Sequence, residues 1–153
     1  MAEMNQIERK TNVAKLALAA GMMSKNRLDA NHPHYMFCGA RSPIFIPINS
    51  AMSDNDLRGY LLNIAHTADL DVELDVAGNF DADIAEIEEG LVANLQSHPA
   101  TLAIAQKCIN IFKEDVESTT NQELKNISES ALAQANALLD RAKEVEGSRS
   151  YGA

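Results

Sequence analysis

The sequence contains no tryptophan, and only 5% of its 153 residues are aromatic. Its core must therefore be built mainly from alanine, leucine, isoleucine, valine and methionine side chains. A basic stripe is missing too, because 13 Lys and Arg face 22 Asp and Glu, for a net charge of −9. Binding to nucleic acid phosphates depends on clustered cations, and so does binding to an anionic membrane. The composition thus argues against nucleic acid and against a membrane surface as direct partners.

Long apolar runs and a set of paired cysteines are also absent. The longest apolar run, 16–23, has eight residues, whereas a helix needs about 20 to span a bilayer. Glu3 and Glu8 precede this run and do not fit the basic start of a signal peptide. Cys38 and Cys108 are too few for a disulfide framework. We therefore expect two reduced thiols in a cytoplasmic protein.

The bulk composition that remains is that of a globular chain. Apolar residues make up 46% of the sequence and charged residues 23%, which are ordinary values for a folded domain. The length is sufficient for one domain with a substantial core. We expect a single compact domain over 1–147 and a short flexible tail over 148–153.

The spacing of apolar residues predicts a mostly helical fold. Matches to the helical period predict helices over 3–24, 54–67, 82–95, 99–113 and 120–146. Ser53 with Asp56, and Thr120 with Glu123, have the spacing of N-terminal capping boxes. The helix over 99–113 is apolar on most sides, which is typical of a central helix.

A different pattern predicts a small sheet. Two apolar runs around a turn at 39–42 indicate a β-hairpin over 35–48, and its two prolines indicate that the second strand is at least partly an edge strand, or short. Strict alternation of apolar and acidic residues predicts a third strand over 70–76. The helix between the strands favours parallel pairing through a right-handed crossover. The predicted class is α+β, predominantly α: an N-terminal helix, a three-stranded sheet and a C-terminal helical bundle.

Charge is distributed unevenly along the chain. Residues 1–50 hold six Lys/Arg and three Asp/Glu, for +3, whereas residues 51–153 hold seven and nineteen, for −12. Between 69 and 89 there are nine carboxylates and no cation. Such a dense single-sign surface attracts basic surfaces and repels copies of itself.

This acidic segment is the leading candidate for a functional surface. We predict a non-enzymatic adaptor, inhibitor or assembly factor that docks on a basic partner protein, for which acidic inhibitors carried by phages are an analogy. The alternative is a solvated face that keeps the protein soluble. The predicted docking residues are Asp69, Asp71, Glu73, Asp75, Asp81 and Asp83.

The turn of the hairpin is a second candidate site. Arg41 and Ser42 lie in this turn, and Tyr35 begins the preceding strand. An arginine beside a hydroxyl group can bind an anionic ligand such as a nucleotide. The alternative is a turn that is merely exposed to solvent.

No combination of residues points to a metal, a cofactor or catalysis. A calcium loop of the EF-hand type requires a glycine at its sixth position, and Leu74 occupies that position when the loop starts at Asp69. His32, His34 and Cys38 are zinc ligands by type, but a structural zinc site needs a second ligand cluster. His66 has no recognisable nucleophile motif to serve. We therefore predict no metal site, no cofactor and no enzymatic activity.

The last predicted helix suggests self-association. Over 120–146 it is about 40 Å long, longer than the other elements could cover. Ala131, Ala135 and Ala142 on its apolar face would let another helix approach closely. These features predict a homo-oligomer formed through this helix.

Overall fold

The computed structural model describes residues 5–25, 34–38, 43–47, 50–72, 80–117, 119 and 122–152, with side chains described up to 144 except those of 25 and 34. These residues form five helices and three strands. In chain order they are α1 Gln6–Ala19, β1 Met23–Lys25, β2 His34–Cys38, β3 Pro43–Pro47, α2 Asp54–Thr67, α3 Phe80–Ser97, α4 Pro99–Glu117 and α5 Gln122–Gly152. The predicted class, α+β and predominantly α, is confirmed.

The sheet contains the predicted hairpin but takes its third strand from another part of the chain. Strands β2 and β3 pair antiparallel, with Met36 opposite Phe45. The third strand is β1, which pairs antiparallel with β2 in the order β1-β2-β3. The parallel crossover to a strand over 70–76 was therefore wrong for the described residues: 70–72 belong to no strand, and 73–76 lie outside the described residues.

Local backbone chemistry explains how the chain reaches β1. Gly21 has a φ of +79° and ends α1, and the Met22 and Gly21 N–H groups donate to the carbonyls of Ala17 and Leu18. This is a Schellman motif, which favours glycine because an L side chain is strained at positive φ. The turn sends the chain directly into β1. After α2, in contrast, Leu70 and Val72 pack against the core without forming a strand.

The central helix is α1, and the prediction that 99–113 would be central was wrong. Every residue of α1 from Arg9 to Ala19 except Asn12 is buried. Helix α4 keeps one side in solvent, where Ile104 is 53% exposed. Helix α1 packs most extensively on α5. The sequence pattern did not indicate that α1 is central, because three basic residues of α1 lie in the interior.

Helix ends follow their capping signals closely. Helix α2 has the predicted capping box, in which Ser53 and Asp56 bond to each other's backbone N–H groups. Helix α5 continues through Gly152, past the predicted end near 146, because 147–153 contains no proline and each glycine inside a helix costs only about 1 kcal/mol. None of the helices within the described ranges is both long and apolar enough to cross a membrane.

Candidate functional site

Three cations of α1 lie inside the protein and each contacts a carboxylate from a different helix. Lys10 is 1% exposed, whereas Arg9 and Lys15 are each 8% exposed. Arg9 pairs with Asp54 at the start of α2, Lys10 with Glu123 of α5 and Lys15 with Glu88 of α3. A buried cation without such a partner would be very costly. The three pairs therefore fix how α2, α3 and α5 surround α1.

Neutral groups complete the contacts of these cations. The Lys15 ammonium also donates to the Gln134 side-chain oxygen at 2.8 Å, and the Arg9 guanidinium donates to the Met52 carbonyl at 3.4 Å. Near Arg9, the Gln6 amide accepts from the Met52 N–H and donates to the Met52 carbonyl. The side chains of α1 thus hold both the bundle and the segment that enters α2.

The starts of three helices meet at Phe80. This first residue of α3 is 8% exposed, and the Arg9 and Arg58 guanidinium carbons lie 5.7 Å and 5.6 Å from its ring centroid. Both distances fit a cation–π contact. Phe80 anchors the start of α3 against α1 and α2, so the acidic first turns of α3 are held in a fixed position.

The segment after α2 is fastened to the middle of α3. Asp69 has a φ of 56°, and the N–H groups of Asp69 and Leu70 donate to the carbonyls of His66 and Ala65. This is a second Schellman motif, with aspartate at the position that usually holds glycine. A Cβ added at Gly90 would lie 3.1 Å from a Leu70 methyl carbon. Gly90 therefore permits the close approach that seats Leu70, flanked by Asp69 and Asp71, on α3.

The acidic residues of this region fall into two classes. Asp83 is only 4% exposed, so its place in a docking face was wrong: it lies on the side of α3 that faces the core. The Glu88 carboxylate forms an ion pair with Lys15, and a Glu89 oxygen lies 2.7 Å from the Arg141 guanidinium. Glu73 and Asp75 lie outside the described residues.

Besides Glu89, four carboxylates are exposed on α3 and on the segment attached to it. They are Asp69, Asp71, Asp81 and Glu86, and we refer to them as the acidic patch. Along the axis of α3, these residues extend from Asp81 to the level of Gly90, about 14 Å at the helical rise, while Asp81 and Glu86 lie about 140° apart around the helix. Among the described side chains, no cation forms an ion pair with any of the four.

The second candidate site loses one of its residues. Tyr35 is 1% exposed and packs edge-on against Phe112 of α4. Its hydroxyl lies 3.5 Å from an Asp115 oxygen that also accepts from Ser24 at 3.0 Å. Burial raises the pKa of Tyr35, a hydrogen bond between Ser24 and the Tyr35 hydroxyl opposes that shift, and Asp115 adds to it. Tyr35 is thus a core residue, and Arg41 and Ser42 lie outside the described residues.

Two other observations bear on metal binding and on the reactivity of a cysteine. Across the described part of the chain, no group of three or more His, Cys, Asp or Glu side chains is placed to hold a metal ion. Cys108 is buried, and burial raises the pKa of its thiol, which disfavours the reactive thiolate.

No protein family model, no curated protein and no solved structure matches this chain. Its function must therefore be inferred from its own surfaces.

Proposed function

We propose that the protein is a non-enzymatic interaction module that docks on a basic surface of another protein through the acidic patch. The observation that carries this proposal is the division of the carboxylates. Those of Glu88 and Glu89 contact cations of the same chain, whereas the four of the patch are exposed, are held on ordered structure and form no ion pair with a described cation. Their charge is thus available to a partner.

The backbone of Asp69 supports the proposal. Glycine or asparagine is usual at a left-handed position that ends a helix, and an ordinary side chain at positive φ costs of order 1 kcal/mol or more. Aspartate tolerates this conformation better than most residues, but glycine would avoid the cost altogether. A carboxylate kept at a strained position is consistent with a role for its charge.

Electrostatic steering supplies the mechanism. Like charges in one region of a protein add their fields, and an oppositely charged partner then associates faster and in a preferred orientation. Each exposed ion pair adds little affinity by itself, so the four carboxylates act together. Salt shortens the range of the attraction, with a Debye length of about 8 Å at physiological ionic strength.

The test compares two quadruple variants with equal charge change. In the patch variant, Asp69, Asp71 and Asp81 are changed to Asn and Glu86 to Gln. In the control, Glu114, Glu117 and Glu129 are changed to Gln and Asp140 to Asn, four residues that are also exposed but lie on α4 and α5. Each tagged protein is used to capture partners from a lysate at several salt concentrations, and the bound proteins are quantified by mass spectrometry.

We expect the wild type and the control to retain the same basic protein, with retention falling as salt rises. The patch variant should lose it by about tenfold or more, which corresponds to about 1.4 kcal/mol. Circular dichroism should show that both variants are folded. Equal retention by the patch variant and the wild type, or equal loss by both variants, would contradict a docking role for the patch.

A further inference from the structure

A groove lies on the surface where α3 packs against α5. Its volume is about 330 Å³, at the lower end of the usual range for ligand sites. The described residues that line it are Glu89, Val92, Ala93 and Gln96 of α3 and Arg141 and Glu144 of α5. Val92 and Ala93 give the groove apolar surface, while its other side chains are charged or polar. The groove can therefore hold a side chain that is apolar along its length and charged at its end.

An exposed ion pair joins the two helices at this groove. A Glu89 oxygen lies 2.7 Å from the Arg141 guanidinium, and the two side chains are 68% and 44% exposed. An exposed pair of this kind contributes little to stability, because water solvates both partners when they separate. Arg141 can therefore leave Glu89 with little effect on the fold, unlike Lys15, which is buried beside Glu88.

Glu89 continues the acidic patch along α3. Residues three apart on a helix are neighbours on its surface, so Glu89 lies next to Glu86 of the patch. Glu144 is a second exposed carboxylate of the groove. Among the described residues that line the groove, Arg141 is the only cation. Three carboxylates thus surround one guanidinium, and the surroundings of the groove favour a positively charged occupant.

The groove fits the side chain of an arginine in particular. The aliphatic part of an arginine packs on apolar surface while its charged end stays in water. Its guanidinium can form two parallel hydrogen bonds with one carboxylate. Arg141 already places a guanidinium against the Glu89 carboxylate, so Glu89 is open to this contact. An arginine from another protein could make the same contact and also cover Val92 and Ala93.

We propose that Arg141 is an intramolecular competitor of the basic partner, and that an arginine of that partner displaces it from Glu89 and lies in the groove. The proposal rests on the proposed function, because it extends the acidic patch by one carboxylate. The exchange replaces one guanidinium at Glu89 by another, so the carboxylate keeps an ionic partner. Arg141 lowers the affinity for every basic partner, and an arginine at this point offsets that loss. Arg141 therefore contributes to the choice of partner.

The test is a double-mutant cycle on the purified full chain. The probe is a fluorescently labelled hexa-arginine peptide, and its dissociation constant is measured by fluorescence anisotropy at several salt concentrations. The variants are Arg141→Gln, Glu89→Gln and the two combined. The control is Lys143→Gln, which removes the same charge from an exposed residue of α5 whose ammonium lies 3.5 Å from the Gln106 side-chain oxygen of α4. Circular dichroism should show all variants folded.

We expect Arg141→Gln to tighten binding of the hexa-arginine peptide about two- to fivefold, the factor that corresponds to an exposed ion pair. Lys143→Gln should tighten it less, because it changes only the long-range field, which salt screens. In the Glu89→Gln background, Arg141→Gln should have no larger effect than Lys143→Gln, since the shared carboxylate is gone. A hexa-lysine peptide should gain less from Arg141→Gln, because an ammonium cannot form the paired hydrogen bonds of a guanidinium.

Four results would overturn the proposal. They are no saturable binding of the hexa-arginine peptide, equal gains from Arg141→Gln and Lys143→Gln, a gain from Arg141→Gln that persists in the Glu89→Gln background, and an equal gain with hexa-lysine. The probe is a defined peptide, so this test does not use the partner captured from lysate. If the patch variant loses that partner but Arg141 shows no coupling to Glu89, the competition is wrong and the proposed function stands. Coupling without any partner that depends on the patch would have the opposite meaning.

Discussion

Two sets of carboxylates in this protein have the same chemistry and different partners. Asp54, Glu88 and Glu123 contact cations of α1 that are at least nine-tenths buried. The acidic patch, in contrast, consists of exposed carboxylates that form no ion pair with a described cation. Removing a partner from a buried charge is strongly destabilising, whereas exposed charges contribute little to stability. We infer that the first set determines how the helices are arranged, and that the second set is available for binding.

The contrast is sharpest within one helix. Glu86 and Glu88 are two residues apart in α3, so they point in different directions. Glu86 is exposed, whereas the Glu88 side chain is 23% exposed and contacts Lys15. Net charge therefore says little about function here, because neighbouring carboxylates have different uses. Substitutions can separate those uses in order of decreasing effect.

The largest effect should come from Lys10→Glu. It places a carboxylate beside Glu123 at a position that is 1% exposed, so two like charges meet in the interior. We expect a loss of more than about 4 kcal/mol in the free energy of unfolding, measured by urea titration with circular dichroism. Lys107→Glu is the control, because Lys107 is exposed on α4. A loss from Lys10→Glu no greater than that from the control would show that the buried pair does not order the fold.

A smaller loss should follow Glu88→Gln. Lys15 keeps its hydrogen bond from the ammonium to Gln134 but loses its ionic partner, so we expect about 1–2 kcal/mol of destabilisation. The matched variant is Glu86→Gln on the same helix, which should stay within about 0.5 kcal/mol of the wild type. Equal urea midpoints for the two variants would remove the distinction between the two sets.

The dependence of stability on alkaline pH should show whether the Tyr35 hydroxyl is buried beside Asp115. Because burial raises the pKa of Tyr35 above its unfolded value, its contribution to stability is fully present below about pH 10. Above that pH the unfolded state ionises first. The free energy of unfolding should then fall by up to about 1.4 kcal/mol per pH unit, as urea titrations between pH 8 and 11 would show.

Tyr35→Phe should flatten part of this alkaline slope. It removes the proton whose release the folded state resists, while most of the packing on Phe112 remains. Tyr60 and Cys108 also have raised pKa values, so some slope should persist. An unchanged slope in Tyr35→Phe would mean that Tyr35 ionises as readily in the folded protein as in the unfolded chain.

The smallest change in stability should be a gain from Asp69→Gly. Glycine adopts the φ of 56° at Asp69 without steric cost, so we expect about 0.5–1 kcal/mol of stabilisation in thermal and urea unfolding. Retention of the basic partner should decrease at the same time. Asp69→Asn is the control, because it tolerates this φ but lacks the charge, and it should weaken retention to the same degree. A more stable variant with full retention would separate the strain at Asp69 from binding.

Local signals in the sequence predicted much of the architecture. The capping box at Ser53 and Asp56 and the spacing of α2 gave that helix its bounds, Asp54–Thr67. The turn at 39–42 predicted the hairpin of β2 and β3. These signals depend on residues close together in the chain, where capping and turn preferences act.

Long-range contacts could not be predicted in this way. Lys10 and Lys15 bond to residues 113 and 119 positions away, so their burial depends on the packing of the whole domain. Strand β1 has three residues and is defined by its pairing with β2. The same limit applies to the candidate site, since spacing alone did not separate buried Asp83 from exposed Asp81. The alanines of α5 were expected to contact another copy, but all three are fully buried within this chain. Homo-oligomerisation through that helix stays a prediction, but these three alanines are not available as its contact surface.

The most direct test of the division between paired carboxylates and the acidic patch is partner retention at matched folded fraction. It compares the patch variant with Glu88→Gln. The patch variant replaces Asp69, Asp71, Asp81 and Glu86 by their amides, whereas Glu88→Gln changes one paired carboxylate nearby. The division predicts that the patch variant keeps its stability and loses the partner, while Glu88→Gln loses stability and keeps the partner. Full retention by the folded patch variant would contradict it.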